Sequence, residues 1–211
     1  MSYMKKILFL LIVVGISSCS HKVFKKKWTT SKAPEMFKAR FETTKGNFDI
    51  IAQREWSPQG VDRLYQLIKS GFYTDIAIFR VVPNFVAQFG IHNDSILTNS
   101  WSKYKIDDEN VVVKNDSMTI AFARDGVRSR TTQIFINLKN NNRLDVLDYN
   151  GVKGFPVIAK ITSGKENILN FYDKYGDKLG RKQDSINLYG NAFLKKNYPE
   201  VDYITKAYIL K

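Results

Sequence analysis

The amino-acid sequence predicts a mainly β domain, either a closed antiparallel barrel or a sandwich, with two α-helices. Short runs of alternating apolar and polar residues recur along the chain and are separated by turn residues. Only two stretches carry apolar residues at clear helical spacing. Of the 211 residues, 44% are hydrophobic, which is enough for a substantial core and argues against a disordered chain.

The first residues have the layout of a bacterial signal peptide. Two lysines precede an apolar run from Ile7 to Ile16, and two serines and Cys19 follow it. The run is too short to cross a bilayer comfortably. Small residues directly before a cysteine resemble the lipobox of bacterial lipoproteins. This resemblance implies that residues 1–18 are removed and that Cys19 is lipidated.

Cys19 is the only cysteine of the chain, so an exported form has no internal disulfide. The thiol is then idle, intermolecular or lipidated, and its position at the end of the apolar run favours the lipid. The alternative is a plain secretory signal with a coincidental cysteine. Lipidation predicts a protein of the bacterial cell envelope that is anchored to a membrane and faces the periplasm.

The formal net charge of +13 indicates an affinity for anions. Residues 19–36 are rich in lysine, lack an apolar period and are predicted to form a basic tether. Anionic head groups would attract such a tether by about 1 kcal/mol per charge. A solvated, disordered linker is the alternative. Nucleic-acid binding is a weaker hypothesis, since export argues against it, and we expect no nucleic-acid partner.

The domain itself is predicted to span residues 37–211. The elements expected in its first half are a β-hairpin over 38–51, a helix from Ser57 to Gly71, and strands over 76–82 and 85–89. Gly46-Asn47 is a turn signal between two alternating runs. Ser57-Pro58 is an N-cap followed by proline at the first helical position. Pro83 separates the two strands because it cannot continue a ladder.

The second half of the domain is predicted to contain more short strands and one further clear helix. The expected elements are strands over 111–113, 118–123, 133–138 and 155–161, a helix over 164–176, a surface loop over 177–187, a short helix after Gly190 and a final strand over 203–210. Ile168 and Phe171 belong to the apolar face of the helix, and Gly176 is its expected C-cap. The loop over 177–187 is charged and contains glycine.

Two polar residues stand in the otherwise apolar run over 79–89. A buried guanidinium without a partner is costly, so Arg80 either reaches outward or faces a lined cleft. Arg80 could instead pair with a carboxylate such as Asp94 in a structural ion pair. Gln88 could merely satisfy a backbone group across the barrel.

Three separated motifs resemble those of the cyclophilin-type peptidyl-prolyl cis-trans isomerases, in the order of that family and over about residues 37–210. They are Phe79-Arg80-Val81-Val82-Pro83-Asn84-Phe85-Val86-Ala87-Gln88, the run 118–123 followed by Thr132-Gln133-Ile134-Phe135-Ile136, and Leu144-Asp145 with Gly154-Phe155-Pro156-Val157. The resemblance implies a closed antiparallel β-barrel capped by two α-helices. It also implies isomerisation of X-Pro bonds without a cofactor, by a monomer that acts on proline-containing polypeptide segments and assists the folding of envelope proteins.

The resemblance assigns roles to particular residues. Arg80 is expected to be catalytic, since a fixed cationic donor aimed at the prolyl nitrogen stabilises the twisted amide more than either planar form. The expected substrate-binding residues are Phe85, Val86, Gln88, Ala121, Ala123, Gln133, Phe135, Leu144 and Phe155. No metal site is expected, because the two histidines are far apart in the sequence and no other thiol accompanies Cys19.

Three positions depart from the pattern of the family. Phe79, Arg143 and Phe155 stand where many members have histidine, tryptophan and histidine. Phe155 keeps the pocket apolar but lacks a polar group, and Arg143 removes a broad flat wall. The changes at Phe155 and Arg143 motivate an alternative function, a non-catalytic peptide-binding or holdase module on the same barrel.

Overall fold

An antiparallel β-sheet is the framework of the fold in the computed structural model, which describes residues 23–211. The strands are β1 (Met36–Thr43), β2 (Phe48–Gln53), β3 (Ile76–Ala77), β4 (Arg80–Val82), β5 (Val86–Phe89), β6 (Thr119–Phe122), β7 (Ile134–Asn137), β8 (Asp148–Tyr149), β9 (Val152–Lys153), β10 (Val157–Ser163) and β11 (Tyr203–Ile209). The helices are α1 (Pro58–Lys69), α2 (Ser95–Ser102), α3 (Arg143–Val146), α4 (Lys165–Leu169), α5 (Gly176–Gly180) and α6 (Gln183–Asn197), with 3-10 helices at Lys26–Thr30 and Arg54–Trp56. The predicted signal peptide and Cys19 lie outside the described residues.

Nine of these strands form one antiparallel sheet, and β8 and β9 form a separate hairpin. The order of the sheet is β3-β11-β1-β2-β10-β6-β7-β5-β4. Its two edge strands, β3 and β4, are separated in the chain by only two residues, and within the described part of the chain they do not pair with each other. The sheet is therefore a curled half-barrel. The mainly β, antiparallel prediction is confirmed, whereas full closure of the barrel stays a prediction.

The main apolar core joins one face of this sheet to α1 and α2. Burial alternates along β1 and β2, as the sequence pattern predicts for a hairpin with one face in the core. Phe41 and Phe48, which pair across the hairpin, stack with ring centroids 5.0 Å apart. Leu64 and Leu67 of α1 are fully buried in the same cluster. The predicted hairpin and the first predicted helix are thus confirmed.

A carboxylate from outside the helix holds the N-terminus of α1. Glu109 accepts hydrogen bonds from the backbone N–H groups of Gln59 (2.8 Å) and Gly60 (3.1 Å) and from the Ser57 hydroxyl. A negative charge at this end of a helix is favourable. Glu109 also forms an ion pair of 3.0 Å with Arg130, which is 1% exposed. These contacts attach two loops to the start of the helix.

Several predicted elements of the second half are wrong. Residues 111–113 form no strand, and Val112 is 66% exposed. The helix expected over 164–176 is reduced to α4, and Gly176 begins α5 instead of ending a helix. The expected surface loop over 177–187 is largely helical. Residues 23–211 therefore contain six α-helices, where the sequence predicts two capping helices and a short one after Gly190.

Only the second half of α6 agrees with prediction: the short helix expected after Gly190 is confirmed, whereas residues 183–187 are helical where a loop was expected. Its buried residues Ile186 and Leu194 lie in two helical segments that meet at a kink. Gly190 lies between them with φ 58°, a value that favours glycine, and kinks the helix. A Cβ at this position would lie 2.3 Å from the Asn93 side-chain oxygen, so glycine also permits a close approach to a neighbouring loop.

Residues 24–33 pack on the domain, although the sequence predicts a tether there. In this N-terminal strap, the ring of Phe24 stacks on Tyr104 at 5.4 Å and that of Trp28 lies parallel to Trp101 at 6.5 Å. The Gln66 side chain donates to the Ser31 carbonyl at 2.8 Å. Aromatic packing thus attaches this lysine-rich segment to the core. No helix within residues 23–211 is long and apolar enough to cross a membrane.

Replacing Glu109 by alanine should destabilise the fold strongly. The change leaves the Arg130 guanidinium buried without its counter-ion and removes the acceptor at the N-terminus of α1. Loss of one partner of a buried pair costs about 3–5 kcal/mol, and urea denaturation followed by circular dichroism would measure it. Asp173→Ala is the control, since its pair with Lys174 is exposed and should contribute less than about 1 kcal/mol. Equal effects of the two changes would contradict this account.

Candidate active site

A cleft of about 510 Å³ opens beside β4, β5 and β7. Nine of the ten residues predicted from the sequence line it, namely Arg80, Phe85, Val86, Gln88, Ala123, Gln133, Phe135, Leu144 and Phe155. The tenth, Ala121, does not line the cleft, because it is fully buried in the apolar cluster beneath it. The fold therefore brings together residues that lie far apart in the sequence.

The strand register aligns the central residues of the cleft in one row. Arg80 of β4 pairs with Gln88 of β5, Gln88 with Phe135 of β7, and Phe135 with Ala121 of β6. Directly opposed residues of antiparallel strands point to the same face of a sheet. The guanidinium, the amide and the aromatic ring are therefore on one face of neighbouring strands.

One end of the cleft is apolar. Val86, Ala121, Phe135, Leu144 and Phe155 form a buried cluster that is separate from the main core. The rings of Phe135 and Phe155 meet edge to face at 5.8 Å. The Phe155 N–H donates to the Leu144 carbonyl at 2.9 Å, which fixes α3 to the strand that follows. This end of the cleft is an apolar slot.

The other end of the cleft holds Arg80 through two of its three nitrogens. Nε donates to Asp177 Oδ1 at 2.6 Å, and one terminal nitrogen donates to Gln88 Oε1 at 3.1 Å. The other terminal nitrogen forms no hydrogen bond within the described part of the chain. The suggested partner Asp94 instead caps α2 by accepting from the Ile96 N–H. Arg80 is thus held in place with one donor nitrogen left over.

A chain of side-chain amides continues from Arg80 to α5 and α6. Gln88 Nε2 donates to Gln133 Oε1 at 2.8 Å, and Gln133 Nε2 donates to Gln183 Oε1 at 2.9 Å. Gln183 in turn donates to the Gly180 carbonyl at 3.2 Å. Every hydrogen bond in this series is donated in the same direction, from Arg80 towards Gly180. Each side-chain amide therefore fixes the orientation of the next one.

The segment from 176 to 183 forms a wall of the site that sequence reasoning missed. Asp177 and Gln183 contact the row of predicted residues, and a Cβ on Gly180 would lie 2.9 Å from Arg80 Cδ. Glycine is therefore needed where α5 passes over the arginine side chain. The partners of Asp177 and Gln183 are distant in the sequence, so no local pattern in 176–183 signals these contacts.

Arg124 is a second missed residue, at the apolar end. Its guanidinium lies 4.2 Å from the centroid of the Phe155 ring and donates to the carbonyls of Tyr149, Val152 and Gly154 at 2.6–2.9 Å. These bonds hold the hairpin β8–β9 against the cleft. Burial lowers the pKa of the Arg124 guanidinium.

Arg143 and Phe79, two of the positions that depart from the motifs, differ in their surroundings. The exposed Arg143 guanidinium lies 5.1 Å from the centroid of the Phe85 ring and forms no ion pair within residues 23–211. Arg80 lies 5.5 Å from the same centroid, so Phe85 contacts two cations. Phe79 is buried with Leu179 and Ile186, away from the cleft.

The chemistry available in this cleft is that of an apolar slot with a fixed cation beside it. The lining also includes Asp125, Ser129, Thr131, Leu147 and Tyr149, which the sequence reasoning did not single out. Within residues 23–211 no group of three histidine, cysteine or acidic side chains could hold a metal ion. This arrangement suits a ligand that has an uncharged ring attached to a polar chain.

Comparison with known sequences identifies the same family over most of the domain. A family model described as cyclophilin type peptidyl-prolyl cis-trans isomerase/CLD matches residues 38–187. Peptidyl-prolyl cis-trans isomerase A of Dickeya dadantii is 28% identical over 71% of this chain and 75% of its own length. Peptidyl-prolyl cis-trans isomerase B of Escherichia coli is 26% identical over 68% of this chain and 89% of its own.

Other relatives are much longer than the region they share. Peptidyl-prolyl cis-trans isomerase-like 2 of Aspergillus oryzae is 31% identical over 46% of this chain, and the chain spans only 18% of that protein. Among solved structures, a cyclophilin type peptidyl-prolyl cis-trans isomerase of Cryptosporidium parvum superposes with a TM-score of 0.57 at 18% identity. It covers 83% of this chain and 98% of its own. At this identity the superposition shows the fold alone.

The Asp177 carboxylate should control the mobility of Arg80. In the wild type, the Nε–H of Arg80 is engaged at 2.6 Å and should exchange slowly with water in nitrogen-detected NMR spectra. Asp177→Ala should accelerate that exchange by about tenfold, as expected for the loss of one charge-assisted hydrogen bond. Asp184→Ala, which removes an acidic residue from the first turn of α6, is the matched control. Unchanged exchange in Asp177→Ala would show that the bond does not persist in solution.

Proposed function

Because this chain belongs to the cyclophilin-type peptidyl-prolyl cis-trans isomerase family, we propose that it isomerises X-Pro bonds, with Arg80 as the catalytic residue. The observation that carries the proposal is the placement of Arg80 beside the apolar slot of Phe135, Leu144 and Phe155, with two of its nitrogens already bonded. The slot accepts the proline ring, and the remaining donor of Arg80 faces the amide.

The proposed step needs no proton transfer. Rotation about an amide bond breaks its resonance, with a barrier of about 18–20 kcal/mol. As the amide twists, the prolyl nitrogen regains a lone pair, which accepts a hydrogen bond from Arg80. A donor fixed for this geometry stabilises the twisted state more than either planar state. Asp177 and Gln88 hold the guanidinium, so that little reorganisation is required.

The peptide on either side of the proline would lie along the polar part of the cleft. Gln88, Ala123 and Gln133 line this part, next to the proline slot. The amides of Gln88 and Gln133 are oriented by the hydrogen-bond chain that ends at Gly180. Proline-containing polypeptide segments are thus the proposed substrates.

We place this activity in the bacterial envelope, where the protein would assist the folding of exported proteins. Support comes from the sequence alone. A basic start, an apolar run and a cysteine after small residues together indicate a removed signal peptide and a lipid anchor at Cys19. The domain would then face the periplasm from a membrane.

The second candidate function is a holdase, which would bind proline-containing segments without isomerising them. The observation that favours it is the ion pair between Arg80 and Asp177. A carboxylate at this distance offsets part of the positive charge that the proposed mechanism uses. The isomerase assay decides between the two functions.

Replacing Arg80 by alanine should lower kcat/KM for a proline-containing peptide by about 100-fold or more, the usual effect of losing one transition-state donor. A protease-coupled or NMR exchange assay would measure this change. Arg181→Ala removes an exposed arginine that does not line the cleft and should leave the rate unchanged. Equal rates of Arg80→Ala and wild type contradict the mechanism. Peptide binding with negligible isomerisation by the wild type would support the holdase.

Arg143 should give the cleft a preference for acidic residues next to the proline. Its exposed charge beside Phe85 forms no ion pair within residues 23–211 and can attract a carboxylate of the substrate. Peptides with Glu beside the proline should be turned over or bound about 2- to 5-fold better than those with Gln, in line with an exposed ion pair. Arg143→Gln should abolish the difference, and Arg143→Lys should retain part of it. A wild type without any preference would refute this role.

A further inference from the structure

Two cavities flank the N-terminal strap, and both are lined by cationic side chains. The larger, of about 490 Å³, is lined by Thr29, Gln59, Arg63, Lys103, Tyr104, Lys105, Ile106 and Arg128. The smaller, of about 270 Å³, is lined by Lys27, Trp28, Ser31, Gln66, Lys69 and Ser70. Neither set contains an aspartate or a glutamate. We call their six lysines and arginines the basic face.

Arg63 is a buried cation of the larger cavity. It is 3% exposed, donates to Gln66 Oε1 (3.1 Å) and the Thr131 carbonyl (3.3 Å), and lies over the Trp101 ring. No carboxylate pairs with it among residues 23–211. Burial lowers the pKa of its guanidinium to about 10, and the charge of Arg130 adds to this effect. A buried cation without a counter-ion is stabilised by an anion that enters beside it.

Of the acidic residues near this cavity, Asp107 and Glu109 form ion pairs, whereas Asp108 accepts only a backbone hydrogen bond. Asp107 forms an ion pair of 2.9 Å with Arg128, and Asp108 accepts from the Arg128 N–H at 2.7 Å. Glu109 is bonded to Arg130 and to the start of α1. Lys103 and Lys105 are exposed and form no ion pair within the described part of the chain. The basic face therefore retains a net positive charge.

The strap fixes where the chain leaves the domain. Phe24 packs on Trp101 and Tyr104, directly beside Lys103 and Lys105. Cys19 precedes Phe24 by five residues, which span at most about 18 Å when fully extended. A lipid on Cys19 would consequently hold the basic face close to the lipid head groups. The separation would be comparable to the Debye length, over which the charge of the head groups is felt.

We propose that the basic face docks on an anionic phospholipid surface, with a lipid phosphate entering the larger cavity beside Arg63. The orientation rests on the proposed lipid anchor, whereas the charge and the cavity belong to the folded domain. Each lysine near an anionic membrane contributes about 1 kcal/mol. Lys103 and Lys105 together should therefore change the affinity by about 10- to 30-fold.

The test uses a chain that begins at Ser20, which lacks the anchor but retains every contact of the strap and the core. Cosedimentation measures its binding to phosphatidylcholine vesicles with and without phosphatidylglycerol. We expect binding only to the anionic vesicles, and a loss of about 10- to 30-fold in the double variant Lys103→Gln/Lys105→Gln. Lys195→Gln/Lys196→Gln is the matched control, since it removes the same charge from the exposed end of α6 and should change little.

Four results would overturn the proposal. In the first, the protein does not bind anionic vesicles, and in the second, both double variants lose the same affinity. In the third, the protein binds an oligonucleotide more tightly than it binds vesicles. In the fourth, inorganic phosphate saturates the protein although vesicles do not bind. The equal loss would reflect net charge alone, and the last two would indicate a nucleic acid or a free anion. The isomerase assay on the same variants keeps this test separate from the proposed activity, because neither double variant alters the cleft.

Discussion

The cleft depends on one row of cross-strand pairs, Arg80 to Gln88, Gln88 to Phe135 and Phe135 to Ala121. In an antiparallel sheet a slip of one residue moves every side chain of a strand to the opposite face. The turn at Pro83-Asn84 fixes this register, because Asn84 adopts φ 57° and the Phe85 N–H returns to the Val82 carbonyl at 3.0 Å. A local turn therefore decides whether the guanidinium faces the cleft.

The opposite wall of the cleft is fixed by contacts between distant parts of the chain. Asp177 accepts a hydrogen bond from Arg80, which lies 97 residues earlier in the sequence. The buried residues Leu179 and Ile186 pack in one apolar cluster with Phe79. Phe79, the residue beside Arg80 that departs from the family motif, thus supports the helices that cover Arg80. The phenyl ring of Phe79 contributes to the packing that holds Asp177 within reach of the guanidinium.

Sequence reasoning succeeded where the signal was local. Alternation predicted β1 and β2, helical spacing predicted α1, and the motifs predicted nine residues that line the cleft. It failed at Asp177 and Gln183, whose partners Arg80 and Gln133 are distant in the sequence and leave no periodic trace. It also failed at the strap, because Phe24 and Trp28 stand among lysines and find their apolar partner only in the folded domain.

The charges around Phe85 explain why a carboxylate lies beside the cation that the proposed mechanism uses. Arg80 and Arg143 both lie within 5.5 Å of the centroid of this ring, so the two guanidinium groups repel each other across a partly apolar surface. Asp177 binds Nε of Arg80, at the edge of the guanidinium next to the side-chain stem, and leaves a terminal nitrogen unbonded. The carboxylate therefore offsets the repulsion and fixes the direction of the remaining donor, while the charge of Arg143 stays available to a substrate.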